Sequence, residues 1–241
     1  MQVVLLRVGI DTGSGGIHSP LYKDGTFEFV PISDKRNRFG VNLQTYGNTR
    51  GTVHRKLLVS YFPERRRGKA NDLCLHYDPE FQTYTYGDPT KPKAGLRKLK
   101  KGDLLVFYAG LQGWDCHRQP ALYIIGYFEI ESAVVAREHT WKDLRSEFRR
   151  NFHVRHRPVF EHQQKRLILV KGGRGSKLLK KARRISVQAK NKAGKLIHVL
   201  SPEMRRIFGD FDGHVSIHRS PPRFVFPEHA EKAARFVRSL V

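Results

Sequence analysis

The apolar positions of this chain fall mostly into short runs, and two of them dominate. Leu104–Ala109 and Ala121–Ile130 have the length and the Val, Ile, Phe and Tyr content of strands. Both are apolar at nearly every position rather than at alternate ones, which predicts that both faces are buried, in a barrel or a covered sheet. A tight turn at Gly102-Asp103 opens the first run and a polar loop through Trp114 separates the two, so they read as a long-looped hairpin at the core. Val3–Ile10 is a further buried strand, and Leu167–Val170 a short one. Phe27–Val30 alternates after an Asp24-Gly25 turn, which makes residues 17–32 a hairpin. Tyr84 and Tyr86 alternate as well, which predicts both rings on one strand face.

Helical periodicity is scarcer. Thr140 caps a helix with Asp143 three residues on, and Trp141, Leu144 and Phe148 share one of its faces. Ser176 is placed to cap a short helix over Lys177-Leu-Leu-Lys-Lys-Ala, and Ser201-Pro202-Glu203 starts another. Glu228–Leu240 closes the chain as an amphipathic helix with Ala230, Ala233, Ala234, Val237 and Leu240 inward. Ser33–Gly51 reads as a loop, Arg65–Lys69 as a basic knot on a turn, and Phe152–Arg166 as His- and Arg-rich without clear period. Phe211–Pro227 is irregular, with an Asp212-Gly213 turn and with His214, His218 and Arg219. The pattern predicts an α+β protein, a mixed or barrel-like sheet with peripheral helices. Residues 1–241 form a single domain on this reading, with the core centred on 70–135 and a basic C-terminal half over 140–241.

Charge changes this picture more than composition does. Forty-five Lys and Arg against 22 Asp and Glu leave a net +23, far more than solubility requires and enough to attract a polyanion at long range. Nucleic acid, DNA or RNA, is the leading partner; a generically basic surface is the plainer alternative. A membrane surface fits less well, because the terminal helix carries alanines and mixed charge instead of a large apolar face. No stretch approaches the roughly 20 apolar residues of a span, and two cysteines cannot make a disulfide framework. The N-terminus reads directly as a strand, so a cytoplasmic location is expected.

Candidate chemistry lies in four places. The first strand empties into Asp11-Thr-Gly-Ser-Gly-Gly16, where Gly13, Ser14 and Gly15 offer backbone amides to a phosphate or base, and Asp11 with His18 supplies an acid/base pair. Asp-Thr-Gly-Ser also matches aspartic proteases, but no second copy occurs; an actin-like nucleotide strand lacks its further segments, and a conformationally demanding turn explains the glycines without function. Tyr86, Tyr108 and Trp114 are candidates for stacking on a base, with Asp88 and Asp103 as acceptors for its edge. Lys91, Lys93, Arg97, Lys98, Lys100 and Lys101 put a basic stretch beside them. Ser176, Lys177, Lys180, Lys181, Arg183 and Arg184 form a phosphate-binding candidate at a helix N-terminus, although the order of a Walker loop is absent. Cys74, His76, Cys116 and His117 are four potential zinc ligands whose spacing matches no familiar pair; ordinary core cysteines are the better reading, and neither metal nor cofactor is expected.

The Gly-Asp turn opening a strand, the aromatic loop residue and the apolar-Gly step at Ile124-Ile125-Gly126 resemble the barrels related to the pseudouridine-synthase and archaeosine-transglycosylase domain, among them the EVE, ASCH and YTH families. That resemblance implies binding of nucleic acid or of a single modified base in an aromatic pocket. A wider one rests on Arg7–Leu21, Phe27-Glu-Phe-Val-Pro-Ile, Tyr86-Gly-Asp-Pro and the hairpin, which together are similar to the third of the nucleotide-modification-associated domain families. It implies a context of modified bases and no established reaction.

Overall fold

The computed structural model describes residues 1–34, 37–211 and 221–240. The chain opens with β1 (Val3–Arg7), β2 (Ser19–Leu21) and β3 (Ile32–Ser33), then helix α1 (Glu64–Asn71). Next come β4 (Leu75–His76), β5 (Thr85–Asp88), a 3-10 segment over Lys91–Lys98, and the two longest strands, β6 (Leu104–Gly113) and β7 (Ala121–Val135). Three short helices follow, α2 (Trp141–Leu144), α3 (Phe152–Arg155) and α4 (Arg157–Gln163). Strands β8 (Ile168–Gly172) and β9 (Lys177–Arg184) return to the sheet, and β10 (Ser186–Lys190) pairs with β11 (Leu196–Leu200). Helix α5 (Pro202–Phe208), strand β12 (Arg223–Phe224) and helix α6 (Pro227–Arg238) complete the described residues.

The main sheet runs β12-β1-β6-β7-β8-β5, with β2 against the far end of β6 and β9 against β7. β1 and β2 lie parallel to β6 while the other pairings are antiparallel, so the sheet is mixed and the architecture α+β, as the apolar pattern predicts. The barrel alternative is corrected: the sheet stays open. Its shape is set by β7, whose Tyr123–Tyr127 stretch pairs with β9 while Ile130–Val135 pairs with β8, across register shifts at Ile124/Gly126 and Ile130/Ser132. Such bulges bend a strand and raise its twist, and here they hand β7 from one neighbour to another instead of closing a ring.

The continuous apolar runs mean what they predict. Leu104–Ala109 is fully buried, and the main core joins β1, β6 and β7 to Met204, Phe208, Ala233, Ala234 and Val237 from α5 and α6. A second cluster, with Tyr46, Leu58 and Tyr61, fills the space under the N-terminal loops, and a third, with Leu144, Phe148 and Phe160, lies under α2–α4. Thr140 caps α2 by the expected reciprocal bonds with Asp143, and α6 buries the expected alanines.

Several local readings are corrected. The basic run Arg65–Lys69 lies within α1. The hairpin expected over residues 17–32 is short: about the Asp24-Gly25 turn Tyr22 N donates to Thr26 O and Glu28 N to Pro20 O around a Leu21–Phe27 bridge, and the other edge of β2 pairs with β6. Tyr84 has φ +56° and precedes β5, which breaks its alternation with Tyr86. Lys177–Arg184 is a strand, not a Ser-capped helix, since pairing with β7 overrides its helical propensity. The Asp212-Gly213 turn, His214, His218 and Arg219 lie outside the described residues. Among the described residues no helix is long and apolar enough to cross a membrane.

Candidate functional site

A cavity of about 480 Å³ opens where the end of β1, the β4–β5 connection, β5 and helices α3 and α4 meet. That is the size range of small-ligand sites. Arg7 comes from β1, His76 and Asp78 from β4 and the segment after it, Tyr86 and Asp88 from β5, Lys93 from the 3-10 segment and His153 from α3. Tyr86 and Asp88, singled out from the sequence, therefore face one cavity. The Tyr86 hydroxyl donates to Asp88 Oδ2 at 3.0 Å, and Asp88 Oδ1 accepts from Thr90 N and Oγ1.

His76, Asp78 and His153 converge on one wall, and sequence reasoning did not assemble them. Alternation along His76-Tyr77-Asp78 puts the first and third residues on one side, a signal visible locally. His153 is 77 positions from His76 and arrives only through packing of α3. The two Nε2 atoms are 3.1 Å apart, and Asp78 Oδ2 lies 3.4 Å from His153 Nε2 and 4.0 Å from His76 Nε2. His76 stacks on Phe152 with centroids 4.0 Å apart, His153 Nδ1 bonds Gln163 Oε1 at 2.6 Å, and Asp78 Oδ2 accepts from Gly87 N at 2.9 Å. Burial pushes the Asp78 carboxyl up to about 6, opposed by His153. For His153, burial works against the charged ring, but the bond to Asp78 and its charge outweigh it, and the net shift is upward. Gly87 is required here: a Cβ would sit 2.7 Å from His153 Cδ2.

A second, larger cleft of about 730 Å³ shares Pro89 and Thr90 with the first and is lined by Lys91, Arg97, Arg137, Lys165 and Arg166, with Glu138 the one acid on its wall. The basic stretch predicted beside the pocket supplies Lys91 and Arg97; the other three cations were not anticipated. A third cleft of about 320 Å³, on the Tyr77 and Glu80 side of the β4–β5 connection, is lined by Arg50, Arg55, Arg149, Arg150 and Arg155.

The remaining sequence candidates are placed elsewhere. Asp11 Oδ1 accepts from Gly13 N, Ser14 N and Ser14 Oγ, while its carbonyl accepts from Ser14, Gly15 and Gly16 N, so the amides offered to a phosphate are engaged within the loop. Asp11 also pairs with Arg7 at 3.4 Å, and His18 shares with Arg7 the space over Gly110; burial and the Arg7 charge push its imidazole down. Asp103 is buried and holds Gln2 N and Lys100 N, which makes it the clamp of a turn. Tyr108 is fully buried in β6. Trp114 is 42% exposed, edge-on to Tyr61, and outside the Tyr86 cavity. Ser176 is buried and accepts from Glu129 N; with β9 a strand, no helix N-terminus exists beside it. Lys177, Lys180, Lys181, Arg183 and Arg184 stand exposed along β9, Arg183 paired with Glu203. Both cysteines are free; Cys74 bonds Asn42 O and Asn37, and of the four zinc candidates only His76 joins the cluster with Asp78 and His153.

These features define a basic α+β protein with an open mixed sheet and a polar, histidine-walled cavity beside a cationic cleft. The chain belongs to the family described as nucleotide modification associated domain 3, whose model matches residues 2–237. No curated protein matches it, and no solved structure does. The family places the protein in association with nucleotide modification.

Proposed function

We propose that the protein binds a nucleotide or nucleic acid, taking a base, modified or not, into the Tyr86–Asp88 cavity and its phosphates onto the adjoining cationic cleft. The observation that carries this is the shared wall: Pro89 and Thr90 line both spaces, so one ligand can occupy the two at once. Phosphate contacts position and base contacts specify, and here the two jobs fall to neighbouring surfaces. Tyr86 and Asp88 line the cavity together, with Arg7 and Lys93 on the same walls.

The test compares two variants in nucleotide and oligonucleotide binding. Charge reversal at Arg137 and Arg166 is expected to weaken binding and to lower the slope of log affinity against log salt by about one per lost phosphate contact. Asp88→Ala is expected to weaken binding of base-containing ligands while leaving that slope unchanged. Affinity and slope that survive both changes would remove the two spaces from the interface. Binding that depends on the charges but ignores base identity would favour a non-specific scaffold.

A second reading, an enzyme acting on a nucleotide, is favoured by the titratable groups in the cavity wall. Its acid/base pair is then Asp78 and His153, in place of Asp11 and His18, because the Asp11 carboxylate is committed to its loop.

A further inference from the structure

We propose that His76, Asp78 and His153 bind a divalent transition-metal ion, with further coordination positions open to the Tyr86–Asp88 cavity. This does not depend on that cavity's ligand being a nucleotide. The three ligand atoms are separated by 3.1, 3.4 and 4.0 Å, and a point equidistant from them lies about 2.1 Å from each, which is the distance at which zinc and related ions hold imidazole nitrogen and carboxylate oxygen. Two imidazoles and one carboxylate form a donor set used by zinc enzymes and by non-haem iron sites alike, with room left for water or a substrate atom. It is a set unsuited to magnesium or calcium, which prefer oxygen.

The surroundings are those of a ligand set held in place. Gln163 presents its side-chain oxygen to His153 Nδ1, which fixes the hydrogen on that nitrogen and turns the Nε2 lone pair toward Asp78 and His76. A lone pair facing a carboxylate oxygen at 3.4 Å calls for a cation between or beside them, a proton or a metal ion. Gly87 N donates to Asp78 Oδ2, and the stacked Phe152 ring fixes the plane of His76. Asp78 is nine-tenths buried, and its other oxygen, Oδ1, has no hydrogen-bond partner among the described residues. Such an atom costs free energy unless something occupies it. A metal ion held on Oδ2 gives this buried carboxylate a counter-charge and leaves Oδ1 able to accept from a water or ligand group at the open positions.

The experiment is titration of the chelator-treated full chain with cobalt(II) and zinc(II), read by the visible absorption of cobalt, by calorimetry and by thermal melting. One equivalent is expected to bind, to give a cobalt ligand-field band and to raise the melting temperature. His76 is the least buried of the three, so His76→Ala is the variant of choice; it is expected to fold, to lose at least about tenfold in affinity and to lose the metal-dependent rise in melting temperature. Gln163→Leu is expected to fold and to weaken binding about 10 to 100-fold by freeing the His153 ring. Replacing Cys74 and Cys116 together by serine is expected to change nothing. Absence of stoichiometric binding, retention of full affinity in His76→Ala, or loss of binding in the cysteine variant would each overturn the proposal and leave the cluster bridged by a proton.

Discussion

At the scale of single residues, the same side-chain types serve opposite ends according to what their neighbours leave unsatisfied. Asp11 sits in the most conspicuous motif of the chain, yet its carboxylate is consumed in closing its own turn and pairing with Arg7. Asp78, in no motif, keeps one buried oxygen unbonded. Asp11→Ala is therefore expected to cost about 1 to 2 kcal/mol of stability, as loss of a cap does, with nucleotide binding retained by the folded fraction. Chemical denaturation and a binding isotherm on the same variant check this. Gly87→Ala is expected to destabilise by about 1 to 3 kcal/mol, the usual cost of overpacking, because the new methyl group would meet the fully buried side chains of His153, Leu169 and Asn151. Trp114, edge-on to Tyr61 at the surface, is expected to behave as an aromatic pair and no more: Trp114→Ala costs about 0.5 to 1.5 kcal/mol and leaves affinity unaltered.

At the scale of elements, β9 and the 3-10 segment carry competing versions of the basic surface. Lys180 and Lys181 stand on a strand that, among the described strands, pairs only with β7. Lysines on such an edge also prevent further strands from adding, a role that needs no ligand. Lys91 and Arg97 instead line a cleft that touches the cavity. Neutralising Lys180, Lys181, Arg183 and Arg184 is accordingly expected to change the salt dependence of binding less than neutralising Lys91, Arg97, Arg137 and Arg166 does. The two slopes, measured in parallel, decide which face meets the polyanion, and equal losses would make β9 part of it.

At the scale of the whole molecule, the histidines give stability a pH dependence with a definite sign. Burial pushes His18, His156 and His198 down, reinforced by Arg7 for His18 and His198 and by Arg155 for His156. The folded state holds these rings neutral while the unfolded chain protonates them near pH 6.5, so the unfolded state binds more protons below that pH. Their contribution is present above pH 6.5 and is lost as the pH falls through the lowered values. Asp78 and His153 are shifted upward and act with the opposite sign. The informative quantity is thus the difference between wild type and His18→Gln, whose melting temperature is expected to fall less between pH 7 and pH 5. A variant as acid-sensitive as the wild type would contradict the burial of that ring.

The division between sequence and tertiary structure follows range. Runs apolar at every position determine that β6 and β7 are buried on both faces, and local caps determine α2 and α5, because those signals lie within a few residues of one another. The same locality made Tyr86, Asp88 and the adjacent basic stretch legible as one neighbourhood. What the neighbours along the chain could not decide is where strand pairing outweighs helical propensity, as at Lys177–Arg184, and whether a sheet closes, which rests on how β7, with β6 along one edge, divides the other between β9 and β8. The cluster of His76, Asp78 and His153 is of this second kind. Two of its members are read from one alternation, but the third is brought in by the packing of α3 against β5, and only that contact turns three separate side chains into a site.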